Sequence, residues 1–309
     1  ILTLEKSLII ERLNTRDIKA NMDIPWHIEQ TLQPGWHDWF DNYITGGSQK
    51  FNSDFSPIGV FYSVSHWNAL YAPSIRWLFK LFEEISLWTI FVLFLVFLLL
   101  YFMFLRTRKS VSQSGMPLAI FTTGFAGMIF DLMIIFAFQS IYGQLFSWIG
   151  LLVASFMAGA AFSAILIANG LNRIKDPIKI FARIELAIMC YSLGCLLIIF
   201  VPKSILGSPD VFYYTRYLFL AISFISGSLI GSQFPLANKL YLRENRSLTR
   251  TAGSLYSADL LGGWFGGVFG AVVLLPVLGL AGTCITVGLV KLASLIVIKT
   301  QPQACVAGG

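Results

Sequence analysis

Residues 121–170, FTTGFAGMIFDLMIIFAFQSIYGQLFSWIGLLVASFMAGAAFSAILIANG, are apolar almost throughout, yet their first half carries a carboxylate, Asp131. A helix satisfies its own backbone hydrogen bonds in lipid, and about 20 apolar residues in that form cross a hydrocarbon core of roughly 30 Å. The stretch is long enough for two crossings, and the polar break at 139–144 predicts a tight helical hairpin. An aspartate near the centre of a membrane helix costs roughly 2.5–3.5 kcal/mol, so Asp131 is expected to face other helices or a water-filled cavity.

The rest of the chain agrees with that class. Of 309 residues 56% are hydrophobic and 12% charged, with a mean hydropathy of +0.72, far from an ordinary soluble domain. The net charge of +6 does not imply nucleic acid, because the basic residues fall mostly in short links between apolar runs and form no basic surface with interleaved aromatics. The expected partner is a lipid bilayer. Cys190, Cys195, Cys284 and Cys305 form no CxxC and have no histidine near them, so they read as buried thiols, and no metal site is expected.

Seven spans are predicted, at about 85–105, 117–138, 145–171, 178–201, 213–236, 252–275 and 280–298. The links after the first, third and fifth hold Arg106, Arg108 and Lys109, then Arg173, Lys175 and Lys179, then Lys239, Arg243, Arg246 and Arg250. The intervening links hold only Lys203 and Arg216. The excess of Lys and Arg in cytoplasmic loops places the first set on the cytoplasmic side of a plasma membrane, and an odd number of crossings then places residues 1–75 outside.

Residues 1–75 differ in character. Charged and polar residues are frequent there, and His27, His37 and His66 lie among Trp26, Trp36, Trp39 and Trp67. The segment contains no Gly-rich phosphate loop and too few strand-like runs for a nucleotide-binding sheet. Turn formers at 52–57 lead into alternating aromatics, which predicts an extended or interfacial segment with Tyr62, Trp67, Tyr71 and Trp77 at the membrane surface. The chain opens at Ile1 with no leader pattern and is expected to be a fragment of a longer protein.

The motifs GFAGMIFD, SFMAGAAFSA and SLYSADLLGGWFGGVFGAVVLLPVLGLAG occur in that order. With them, residues 115–290 resemble bacterial polytopic membrane proteins in which a membrane domain is fused to a spermidine synthase-like domain. Residues 1–73, especially NSDFSPIGVFYSVSHW, resemble the segment that closes that domain, with Asn52, Asp54 and Pro57 as its turn motif. The resemblance implies an all-α polytopic domain of about seven transmembrane helices at 76–299. Before it would stand, at 1–75, a small α/β remnant of a methyltransferase-like Rossmann domain, and after it a short tail at 300–309. It also implies aminopropyl transfer from decarboxylated S-adenosylmethionine to a polyamine in an upstream domain. The cofactor loop and acidic motif of that activity are not in this sequence, so no catalytic residue is carried over and no cofactor is assigned to this chain. Asp131 stands where the resembling proteins have Glu, and Asp259 where they have a neutral residue.

The charged residues expected within the membrane are Asp131, Arg183, Glu185, Asp259 and Lys291. Carboxylates from different helices around a cationic group would suit a polyamine or a proton relay; the alternative is a structural ion pair between helices. Arg183, Glu185 and Lys291 lie near enough to predicted helix ends to snorkel. Gly262, Gly266 and Gly270 recur every four residues and, with Gly227 and Gly231, predict close helix packing. Pro235 and Pro276 are expected near span ends. The leading expectation is the membrane portion of a spermidine synthase-like protein, not catalytic by itself. A cation transporter and a passive anchor or assembly module are the alternatives.

Overall fold

The computed structural model describes Glu11, Thr15 and residues 52–107, 115–143, 145–199, 209–245 and 248–300. The chain divides into two compact units, 1–51 and 52–309. Of the first, Glu11 and Thr15 are helical, and the Thr15 hydroxyl donates to the Glu11 carbonyl at 2.6 Å. Of the α/β remnant expected at 1–75, residues 52–75 are described and hold a turn and helix rather than strands, while the rest of 1–51, with His27 and His37, lies outside the described residues.

In the second unit the described residues are almost entirely helical. They contain no strand, only an isolated bridge between Ser53 and Ser56. The longer helices are α1 (Ile58–Tyr71), α2 (Arg76–Glu83), α3 (Leu87–Thr107), α4 (Gly115–Tyr142), α5 (Phe146–Gly170) and α6 (Pro177–Gly194). After them come α7 (Pro209–Gly231), α8 (Gln233–Asn245), α9 (Leu248–Phe269), a π-helical continuation (Gly270–Leu278) and α10 (Gly279–Thr300). By length and apolar composition four helical runs can cross a membrane: Gly115–Tyr142, Phe146–Arg173, Tyr214–Leu242 and Thr251–Thr300. A fifth is added if Pro73–Glu83 and Leu87–Met103, bent by 90°, count together.

Side-chain register gives the helix directions. Gly262 faces Phe121, Gly266 faces Phe125 and Gly270 faces Ile129, so α9 runs parallel to α4. Lys291 meets Thr123 and Cys284 meets Met133, so α10 runs against α4. The 50-residue run Thr251–Thr300 is therefore a hairpin, reversed at Gly279, whose φ of 71° is open to glycine at little cost. Gly282 lies by Leu87 and Tyr101 bonds to Val297, making α3 parallel to α10. Trp148 stacks on Phe138, and Phe156 reaches Gly127, which turns α5 against α4. Ser223 bonds to the Leu152 carbonyl and Gly227 faces Phe156, so α7 is parallel to α5. Ser192 bonds to the Cys284 carbonyl and Glu185 meets Lys291, so α6 opposes α10. In chain order α3, α4, α5, α6, α7, α9 and α10 alternate in direction.

Two prolines shape the bundle. Pro235 sits in the first turn of α8; it cannot donate to the Gly231 carbonyl and its ring crowds that position, which accounts for the break at Ser232. Pro276 lies inside the π segment just before the reversal at Gly279.

The two ends of the bundle differ. Ser140 donates to the Asp54 carbonyl at 3.0 Å and the Leu280 N–H to the Phe55 carbonyl at 2.9 Å, fixing the 52–57 turn at the end shared by the α4 C-terminus and Gly279. Asn52 caps Gly59 N–H at 3.0 Å and Pro57 precedes α1. Arg173, Lys175, Lys179, Lys239 and Lys299 gather at the other end, where the Lys239 ammonium donates to the Leu171 carbonyl. There the ammonium of Lys179, 2.9 Å from Asp176, holds that exposed carboxyl below its ordinary range.

Residues 58–71 correct the extended reading of the aromatic segment. They form α1 because Ile58 and Phe61, one helical turn apart, are buried against Val273 and Val277 of the π segment. Burial at helical spacing outweighs the strand-like alternation of the side chains.

Candidate functional site

The site is built from residues of four helices. Lys291 (α10) and Glu185 (α6) are fully buried, as is Gln233 at the start of α8, and Thr123 (α4) and Ser294 (α10) are 2% exposed. Lys291 Nζ donates to Thr123 Oγ1 at 2.8 Å, Glu185 Oε1 at 3.2 Å and Gln233 Oε1 at 3.3 Å. An ammonium has three protons, and each has an acceptor.

Glu185 Oε1 also accepts from Gln233 Nε2 at 3.0 Å and from Ser294 Oγ at 3.3 Å. The Gln233 amide is thereby oriented: its oxygen faces the donors Lys291 and Thr123, and its nitrogen faces the carboxylate. Glu185 Oε2 is buried with no hydrogen-bond partner. All three donors converge on one carboxylate oxygen and leave the other open.

Burying two charges costs several kcal/mol per ion, and their attraction offsets this only with good geometry and further hydrogen bonds. Thr123, Gln233 and Ser294 supply those bonds. The network separates two apolar layers. On the basic side lie Ile120, Phe181 and Leu236, and on the other Ala126, Phe130 and Ile188. Lys291 is nine residues from Thr300 and twelve from Gly279, or about 14 and 18 Å at the rise of an α-helix.

The sequence-predicted residues separate here. Glu185 and Lys291 come together, and neither snorkels, because each finds a partner inside the bundle. Arg183, two residues from Glu185, is exposed. Asp131 is half-buried two turns further along α4 from Thr123, and its Oδ1 is buried with no hydrogen-bond partner. Asp259 is half-buried against Gly124, where a Cβ would meet the Asp259 carbonyl and, at 2.8 Å, its Oδ1. Asp259 lies near enough to Lys291 for the two charges to interact, whereas Asp131 stands two turns from Thr123.

Gly262 and Gly266 bring α9 onto the α4 backbone, a Cβ at Gly266 falling 2.6 Å from the Phe125 carbonyl. Gly270 faces Ile129 and Leu132 side chains at 3.2 and 3.3 Å. Gly227 and Gly231 press on the carbonyls of Phe156 and Ala160 of α5. Among the described residues no three His, Cys, Asp or Glu side chains gather as metal ligands.

Thr123, Gln233 and Ser294 are not among the residues the sequence points to. Their signals are faint: Ser294 is one turn from Lys291, Gln233 is an amide two residues before the helix-breaking Pro235, and Thr123 precedes the packing residue Gly124.

No protein-family model matches this chain, and no solved structure matches it. A polyamine aminopropyltransferase of Corynebacterium efficiens is 24% identical to it over 171 residues, covering 54% of this chain and 31% of the relative. The match takes in about a third of that relative's length. This similarity supports a spermidine synthase-like relationship.

Proposed function

We propose that this chain is the membrane-embedded portion of a longer spermidine synthase-like protein of the plasma membrane, crossing the bilayer seven times and anchoring an aminopropyltransferase-type domain. The observation that carries the proposal is the strict alternation in direction of α3, α4, α5, α6, α7, α9 and α10, joined to the similarity to the Corynebacterium aminopropyltransferase. Seven crossings with the basic links inside put the 52–57 turn on the outer face. The Lys291–Glu185 network then serves as the interhelical clamp of the bundle. Aminopropyl transfer belongs to the domain upstream, with decarboxylated S-adenosylmethionine as donor. Purified residues 1–309 incubated with that donor and putrescine should form no spermidine; measurable product would overturn the division of labour.

A second reading, a carrier of a polyamine or other cation, draws on one observation. Three oxygens of Thr123, Glu185 and Gln233 already enclose an ammonium, and Glu185 Oε2 remains open to another donor. Sealed vesicles containing the protein should then accumulate radiolabelled spermidine, and Glu185→Gln at unchanged protein level should abolish uptake. Absent uptake, or uptake indifferent to that substitution, contradicts the carrier.

A further inference from the structure

The α1–α2 elbow carries a feature that neither anchoring nor the buried network uses. A cavity of about 550 Å³ opens there between Ser65, Arg76, Trp77, Lys80 and Glu83. At 3.6 residues per turn α2 has three faces. Phe79 and Phe82 pack on α1 and the π segment. Trp77 and Leu81, 65% and 55% exposed, form a second face. Arg76 and Lys80, both exposed and one turn apart, form the third with Glu83, whose Oε1 accepts from Tyr62 Oη at 2.8 Å.

The segment Pro73–Glu83 meets α3 at 90°. If α3 crosses the bilayer, as proposed above, α2 lies along its surface, with Trp77 and Leu81 directed into the acyl region and the cations at headgroup depth. Trp88, at the start of α3, is 77% exposed and lies at the same level.

We propose that this elbow is a binding site for the phosphate headgroup of an anionic phospholipid. Arg76 offers a fork of N–H donors and Lys80 a point charge to the phosphate oxygens, Ser65 adds a hydroxyl, and Trp77 borders the path of the acyl chains. Two cations against one carboxylate give the cavity a net positive lining, and the adjoining apolar face selects a lipid over a soluble anion. The site rests on the bilayer-spanning reading of α3.

The test uses the full chain reconstituted in nanodiscs of mixed phosphatidylglycerol and phosphatidylcholine, with co-purifying lipid measured by native mass spectrometry. The wild type should retain phosphatidylglycerol selectively. Arg76→Gln/Lys80→Gln should lower that retention about tenfold or more, whereas Arg173→Gln/Lys175→Gln, at the opposite end, should leave it unchanged. Equal retention of the two lipids, or equal loss in both variants, overturns the site. Displacement of the lipid by millimolar inorganic phosphate overturns the lipid assignment in favour of a soluble anion. Incorporation of the variants into nanodiscs shows that a lost lipid is not a failure to insert, and the spanning reading of α3 is tested separately by sidedness labelling.

Discussion

Lys291 Nζ lies 3.2 Å from Glu185 Oε1 with both side chains fully buried, and Thr123 and Gln233 complete the shell of the ammonium. The pair joins α6 to α10, and its hydrogen bonds add α4 and α8. Removing one partner strands the other charge in an apolar interior. Glu185→Gln or Lys291→Met should each destabilise the protein by about 3–5 kcal/mol. The double variant should lose less than the sum, with a coupling of about 0.5–3 kcal/mol in reversible unfolding from mixed micelles. Additive losses would show that the two residues do not act as a unit.

Asp131 should behave in the opposite way. Its Oδ1 is buried without a partner, so Asp131→Asn exchanges a carboxyl whose burial no hydrogen bond offsets for a neutral amide of the same shape. Thermal unfolding in detergent should show a Tm equal to or above that of the wild type. A fall comparable to that of Glu185→Gln would assign Asp131 a partner it does not have here.

Neighbouring glycines of α9 provide a matched pair. A Cβ at Gly262 would collide with the Phe121 carbonyl, whereas at Gly263 the nearest atom, the Gly124 carbonyl oxygen, is 3.9 Å away. Gly262→Ala should cost about 1–3 kcal/mol through forced separation of α4 and α9. Gly263→Ala should be neutral or mildly stabilising through helix propensity. Equal melting temperatures for the two would contradict the contact.

Gly279 closes the α9–α10 hairpin at φ 71°, and a Cβ there would meet the Phe55 carbonyl at 2.8 Å. Gly279→Ala should therefore cost about 1–3 kcal/mol in strain. It should also loosen the 52–57 turn, seen as faster amide exchange at Leu280, whose N–H donates to Phe55. Unchanged exchange would detach the turn from the hairpin.

The long helices are legible in the sequence where they are apolar runs bounded by polar links, and helices Leu87–Thr107 and Phe146–Gly170 end within two residues of the bounds expected there. The parallel pairing of α4 with α9 was not legible, although the glycines that enforce it were. Spacing identifies a bare helix face but not the partner that covers it. Glu185 and Lys291 read as snorkelling residues because distance to a helix end is visible in sequence, whereas the partner 106 positions away is not. Asp131 is conspicuous in the sequence for the converse reason: an isolated carboxylate stands out in an apolar run even where the fold gives its Oδ1 no partner. Residues 58–71 misled through alternating aromatics, whose burial follows the helical spacing of Ile58 and Phe61.

The seven-span account is tested most directly by the sidedness of the 52–57 turn. Ser53, exposed and bonded to Ser56 within that turn, is replaced by Cys in the full chain with Cys190, Cys195, Cys284 and Cys305 changed to Ser. Intact cells are then treated with a membrane-impermeant thiol reagent, with Lys175→Cys as the control at the basic end. The account predicts labelling of the Ser53→Cys protein in intact cells and of the Lys175→Cys protein only after lysis. Protection of Ser53→Cys until lysis would contradict seven crossings with the basic links inside.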